Sequence, residues 1–113
     1  MITIHQIRLS DSDVNKVNAG ETVPKVEAWR TMMFNGASAW KDEYAEFYTA
    51  VYEVDTNDLD DAMRLTNLWD DESAITRLVG PAASTSMGDI MVLNGTAHIV
   101  DTFGFSEMSQ LPF

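Results

Sequence analysis

The stretch STSMGDIMVLNGTAHIVDTFGF, from Ser84 to Phe105, decides the fold. In it, two apolar runs, IMVL and AHIV, flank the dipeptide Asn94–Gly95. Asn-Gly between alternating apolar runs favours a two-residue type I′ turn, because both positions adopt positive φ there. Both faces of the two strands are largely apolar, so we expect this hairpin in the middle of a sheet. Gly104 then forms a corner, where we expect Phe103 and Phe105 to fill the core.

Two further strands are predicted upstream. In Ile2–Leu9 the first two isoleucines share one face, whereas Ile7 and Leu9 share the other. This break indicates either a bulge or a strand that is buried on both faces. The segment Phe47–Asp55 has strand composition and alternation. Its predicted apolar face consists of Tyr48, Ala50, Tyr52 and Val54.

The clearest helix is predicted over Leu59–Trp69. Thr56 or Asn57 is the expected cap, and the aspartates of the first turn favour the helix dipole. The expected core stripe is Leu59, Ala62, Met63, Thr66 and Trp69, and the helix should end near Asp70–Asp71.

Two weaker helical patterns precede it. Pro24 opens a second helix that should stop at Asn35–Gly36, and the residues after Ser10 form either a loop or one or two helical turns. We read residues 72–85 as a loop. Together these elements predict one α+β domain over residues 1–113, with about four antiparallel or mixed strands and one main helix on one face.

Composition sets limits on the class of protein. The 113 residues are 45% hydrophobic, which is typical of a globular domain, and they include no cysteine. No disulfide framework or thiolate metal site is therefore expected. The N-terminus lacks the pattern of a signal peptide, and no apolar run is long enough to span a membrane. We expect a soluble protein without membrane contact, located in the cytoplasm.

The negative charge is concentrated in the middle of the chain. The net charge is −11, and residues 42–72 hold eleven of the 18 acidic residues but a single basic residue, Arg64. Such a block repels phosphates, so direct binding of nucleic acid is not expected. It suits a partner protein with a basic surface, or mimicry of DNA. The alternative is a solvated face on which the acids only cap and flank helices.

A second candidate surface is aromatic. Trp29, Met32, Met33, Phe34 and Trp40 follow one another within 12 positions. Tryptophan and methionine are frequent in interfaces, but the same helical spacing also serves core packing. The residues predicted to contact a partner are Asp42, Glu43, Glu46, Asp58, Asp61, Asp70, Asp71, Glu72, Trp29 and Trp40.

The sequence holds weaker signals for a catalytic or metal site. His5 and His98 could pair across the sheet and bind a metal with Asp101, but their spacing matches no compact metal motif. The hydroxyls of residues 84–86 with Asp89 could suggest a nucleophile, yet such residues more often bond their own backbone at the start of a strand. We therefore predict no catalytic residue, metal or cofactor.

The same segments resemble a known family. Ser84–Met108 resembles the C-terminal signature of YodL-like domains, in which a serine-rich start leads through two strands to a glycine-phenylalanine pair. IHQI at 4–7, FYTAVYEV at 47–54 and DLDDAMRLTN at 58–67 are similar to the family's other strands and its helix. Such domains occur in large polyvalent proteins of phages and conjugative elements and as small phage proteins. The resemblance implies a mobile-element origin, a mixed α/β fold and no established catalytic residue.

The expected function is therefore non-enzymatic. We expect a phage or mobile-element accessory protein that binds a host protein in the host cytoplasm and modulates or inhibits it, in host takeover or anti-defence. The alternatives are an acidic DNA mimic, an enzyme or small-ligand binder whose site is not visible in the sequence, and a structural role in the virion. A homodimer also stays open.

Overall fold

The computed structural model describes residues 1–113, and it contains one antiparallel sheet of six strands in the order β3-β2-β1-β4-β5-β6. The strands are β1 (Ile2–Ile7), β2 (Tyr48–Val54), β3 (Ile75–Arg77), β4 (Ile90–Leu93), β5 (Thr96–Val100) and β6 (Phe105–Glu107). The α-helices are α1 (Asp11–Asn18), α2 (Pro24–Asn35) and α3 (Leu59–Leu68), and 3₁₀ turns occur at Gly36–Ala39, Asp42–Phe47 and Glu72–Ala74. The α+β class is confirmed, but the strand number is six rather than about four.

The predicted hairpin joins β4 to β5. Leu93 pairs with Thr96, so the loop has two residues, and Asn94 and Gly95 have φ of 51° and 78°. β4 also pairs with β1 on its other side. The hairpin therefore contributes one of the two central strands, as its apolar faces predict.

A bulge in β2 corrects the predicted face of that strand. Ile4 pairs with Tyr52 and His5 pairs with Ala50, so Val51 has no partner on β1. The extra residue reverses the alternation. Tyr48 consequently packs on one side of the sheet, whereas Val51, Tyr52 and Val54 pack on the other.

The sheet is covered on both faces. The face under α3 carries a core that we call the α3 core, formed by Ile2, Ile4, Val51, Tyr52, Val54, Ala62, Leu65, Met91 and Val100. The opposite face carries the α2 core, formed by Ile7, Ala28, Met32, Tyr48, Ile90, Ala97 and Ile99. The prediction of one main helix on one face was therefore incomplete, because α2 covers the second face.

The ends and the buried face of α3 differ from the prediction. Asp58 is the cap, since its carboxylate accepts from the backbone N–H of Asp61 at 3.1 Å. Leu65 is buried although the predicted stripe omitted it, and Leu59 and Met63 are only half-buried. The helix ends at Leu68 because Trp69 adopts a left-handed conformation with φ of 54°.

The two edge strands were not predicted. β3 lies within the segment that was read as a loop, and β6 follows the glycine corner. Phe105 is half-buried as part of β6, but Phe103 is 95% exposed at the tip of the turn. The prediction that Phe103 fills the core is wrong, because the corner turns its side chain into solvent.

The first two helices have the expected starts. Ser10 and Asp13 form a reciprocal capping box on α1, and Pro24 opens α2. At 12 residues α2 is the longest helix, and none in the chain is long and apolar enough to cross a membrane.

Candidate functional site: an acidic–aromatic surface

The 3₁₀ turn Asp42–Phe47 presents carboxylates next to aromatic rings. Trp40, Tyr44 and Phe47 pack as half-buried side chains against the α2 core and anchor the turn on the sheet. Between them, Asp42, Glu43 and Glu46 are exposed. We call Trp40, Asp42, Glu43, Tyr44 and Glu46 the acidic–aromatic surface.

The carboxylates of this surface are not neutralised within the chain. None of the chain's five ion pairs includes Asp42, Glu43 or Glu46. The one side-chain bond they receive comes from the Trp40 indole N–H, which donates to Asp42 at 3.2 Å. This bond holds one carboxylate beside the edge of the indole ring.

The predicted acids around α3 have partners in the chain. Arg64 bonds both Asp61 and Asp70, at 3.0 and 3.1 Å, and Arg77 bonds Glu72 at 3.0 Å. The hydrogen bond from Arg64 lowers the pKa of Asp61. Asp58 serves as the helix cap, and Asp71 accepts from the hydroxyl of Ser73. These acids mainly stabilise the ends of α3.

The fold separates the predicted acids into two groups. Those of the acidic–aromatic surface lie on the side of the α2 core, and those of α3 lie on the side of the α3 core. The sheet stands between them. The predicted set of eight acids therefore does not form one continuous surface.

Two grooves run beside the 3₁₀ turn. The larger, which we call the Trp40 groove, has a volume of about 620 Å³ and lies between Trp40 and the chain from Ser106 to Pro112. The smaller has a volume of about 330 Å³ and lies between α2 and the turn. It is lined by Pro24, Glu27, Ala28, Glu43, Tyr44, Glu46 and Phe47. Both grooves combine aromatic walls with carboxylates.

The aromatic segment divides between core and surface. Met32 is buried, Trp29 and Met33 are half-buried, and Phe34 is 68% exposed at the end of α2. Trp29 packs against the α2 core and borders a hollow beside Arg8 and Leu9. It is not a lining residue of either groove of the acidic–aromatic surface.

The hydroxyl-rich segment before β4 is held by side chains from β2 and from the C-terminal end of α3. Tyr52 donates to the carbonyl of Ala83, and the buried hydroxyls of Thr66 and Thr85 bond each other at 2.6 Å. The Trp69 indole N–H donates to the hydroxyl of Ser84 at 3.3 Å. These contacts fix the loop to β2 and α3, as expected for a structural role.

Asp89 is the acid of this segment; the residue is half-buried, and its carboxyl group is the enclosed part. Its Oδ2 accepts from Gln6 Nε2 at 3.1 Å and from the backbone N–H of Ser86 at 2.9 Å. Burial nevertheless raises the pKa of Asp89 to about 7. Burial also raises the pKa of nearby Tyr48, whose hydroxyl donates to the carbonyl of Gly88. Asp89 borders a hollow of about 10 Å³, which is too small for a substrate.

The two histidines cannot pair. His5 is opposite Ile90, which is opposite Ile99, whereas His98 is opposite Met91. Since directly opposite residues share a face, the histidines lie on different faces of the sheet. His5 stacks on Phe113 at 4.0 Å, and burial lowers its pKa. No group of three acidic or histidine side chains is arranged to hold a metal.

No family model, curated protein or solved structure matches the chain. The candidate site therefore depends on its geometry. Sequence reasoning identified Trp40 and the three acids of the turn. Tyr44 lies at i, i+4 from Trp40 but was not among the predicted contacts, and the wall of Ser106 and Met108 was missed because the local sequence holds no signal for it.

Proposed function

We propose that this chain is a non-enzymatic binding protein whose acidic–aromatic surface docks on a basic surface of another protein. In keeping with the YodL-like resemblance, the partner is a host protein, and the chain is a phage or mobile-element accessory protein that modulates or inhibits it. The single observation that carries the proposal is the set of unpaired carboxylates on the 3₁₀ turn, beside rings that are half-exposed.

Electrostatics favours this surface over the acids of α3. A partner cation that approaches Asp61 or Asp70 must compete with Arg64, which already bonds both. Asp42, Glu43 and Glu46 have no such competitor. Their attraction also steers encounter, because the chain carries a net charge of −11.

Mimicry of DNA ranks second. A mimic needs carboxylates that follow one surface in the way phosphates follow a strand. Here the acids are split by the sheet, and α3 separates its own acids by one helix length of about 15 Å for ten residues. Each face alone imitates only a short piece of one strand. Ordinary protein docking needs no such continuity.

The test is affinity capture from host lysate with a charge-reversal pair. Glu43→Lys with Glu46→Lys changes the proposed surface, and Asp55→Lys with Asp60→Lys makes the same charge change at exposed, unpaired acids beside α3. We expect mass spectrometry to find one protein that both the wild type and the α3-side variant retain and the turn variant loses. Equal capture by the turn variant would refute the docking surface. Displacement of the captured protein by duplex DNA would favour mimicry instead.

A further inference from the structure

The Trp40 groove has two walls from distant parts of the chain. Trp40, Asp42 and Ala45 form one wall, and Ser106–Pro112 forms the other. The buried side chain of Ile99 lies at its floor. The volume of about 620 Å³ is within the range of sites that hold small ligands or single side chains.

The indole of Trp40 is held in place on several sides. Its ring packs edge-on against Tyr44 at 6.2 Å and tilted against Tyr48 at 5.8 Å. Its N–H donates to Asp42, which places a carboxylate next to the ring. Asp42 belongs to no ion pair.

Elsewhere in the chain, a similar pair of tryptophan and carboxylate already binds an arginine side chain. On the other face of the sheet, the guanidinium of Arg77 lies over the ring of Trp69 at 4.5 Å. Arg77 also bonds the carboxylate of Glu72 at 3.0 Å. Tryptophan, carboxylate and arginine therefore form one unit there, whereas Trp40 and Asp42 have no arginine of their own.

We propose that the Trp40 groove binds an arginine side chain of the partner protein, stacked on Trp40 and paired with Asp42. This inference rests on the proposed function, since it names the partner chemistry of the same surface. Arginine fits best because its stem is apolar, its planar guanidinium stacks on aromatic rings and its donors fork onto carboxylates. Lysine is a compact and strongly hydrated charge, so it fits a stacked site less well. Anionic side chains are repelled by Asp42.

The groove is tested by NMR titration of the full chain with acetyl-Gly-Arg-Gly-amide. The chain has three tryptophans, and Trp40→Phe assigns the indole N–H signal of Trp40. We expect that signal to shift in a saturable way, with half-saturation on the order of 10 mM for one side chain. The Trp69 signal should not move. The lysine peptide should bind several-fold more weakly, and the peptide with neutral citrulline should cause no shift.

Two variants test the place of binding. Ala45→Leu fills the groove without a change of charge and should remove the shift, while Ala19→Leu, on an exposed residue at the end of α1, should not. Asp42→Asn should also remove it and leaves the groove open. A Trp40 signal that does not respond, or that responds equally to arginine and citrulline, overturns the inference.

The outcomes separate this inference from the proposed function. If capture depends on Glu43 and Glu46 but the arginine peptide does not shift the Trp40 indole signal, the proposed docking surface is supported and arginine binding in the Trp40 groove is refuted. If the peptide binds in the Trp40 groove but capture is unchanged by Glu43→Lys with Glu46→Lys, arginine binding in the groove is supported and the proposed docking surface is refuted.

Discussion

We expect Asp89 to make the stability of this protein depend on pH near neutrality. In the folded chain its pKa is raised to about 7 by burial, whereas an unfolded aspartate titrates near 3.8. The folded state therefore keeps a proton that the unfolded state releases. Stability due to this group is highest below about pH 4, falls as the pH rises to about 7, and is constant above that. The difference of about three pKa units corresponds to about 4 kcal/mol, at about 1.4 kcal/mol for each unit.

The largest measurable change lies between pH 5 and pH 7, where the wild type should lose about 2 kcal/mol of unfolding free energy through Asp89. The perturbation is Asp89→Asn, which keeps an oxygen to accept from Gln6 or Ser86 but cannot ionise. Urea unfolding at pH 5, 6, 7 and 8, followed by tryptophan fluorescence, gives the free energy for both chains. The stability of the wild type relative to the variant should fall over this range.

The contributions of the other titrating groups cancel when the free energy of Asp89→Asn is subtracted from that of the wild type. The pKa of His5 is lowered, so the neutral form is favoured in the fold and His5 contributes an opposite slope below about pH 6.5 in both chains. The matched control is Asp101→Asn, because hydrogen bonds from Ser106 and Thr102 lower the pKa of Asp101. Its difference from the wild type should not change between pH 5 and pH 8. A constant difference for Asp89→Asn, within about 0.5 kcal/mol over that range, would refute the reasoning.

Two further substitutions test the hairpin and the end of α3. Gly95→Val should lower the free energy of unfolding by about 2 kcal/mol, because a β-branched residue resists the φ of 78° although no atom blocks its Cβ. Gly95→Asn should cost less. Equal melting of the valine variant and the wild type would contradict the turn assignment. Trp69→Ala should cost about 2–3 kcal/mol in urea unfolding, below the range for a fully buried ring, because Trp69 is half-buried against Tyr52 and under Arg77. A loss below about 0.5 kcal/mol would show that these contacts do not stabilise the fold.

Local signals predicted the parts of the fold that local chemistry determines. Asn94–Gly95 determines its own turn, and the aspartates before Leu59 determine where α3 begins to within two residues. The bulge at Val51 has no such signal, because the alternation of β2 reads as regular in the sequence. The register against β1 decides it. Strands of three residues, such as β3 and β6, are too short for a period of two to be recognised.

The residue types of the candidate site could be predicted from the sequence, but the separation of its acids onto two faces of the sheet could not. Counting charges finds the acids of residues 42–72, and the spacing of Trp40, Tyr44 and Phe47 finds the rings. Which acids remain free depends on Arg64 and Arg77, whose partners are set by the end of α3 and by β3. The opposite wall of the Trp40 groove comes from residues more than 60 positions away. Only the topology brings them together.

The short edge strands determine how this protein can meet other chains. The sheet ends in β3 on one side and β6 on the other, each three residues long, with Arg77 in the first and Glu107 in the second. The backbone of an exposed edge strand can pair with a strand of another chain. The short length of an edge strand and its charged side chains both oppose such pairing. Fibrous growth by continued strand addition is disfavoured at both ends. Contacts with other chains at these two edges therefore fall to side chains.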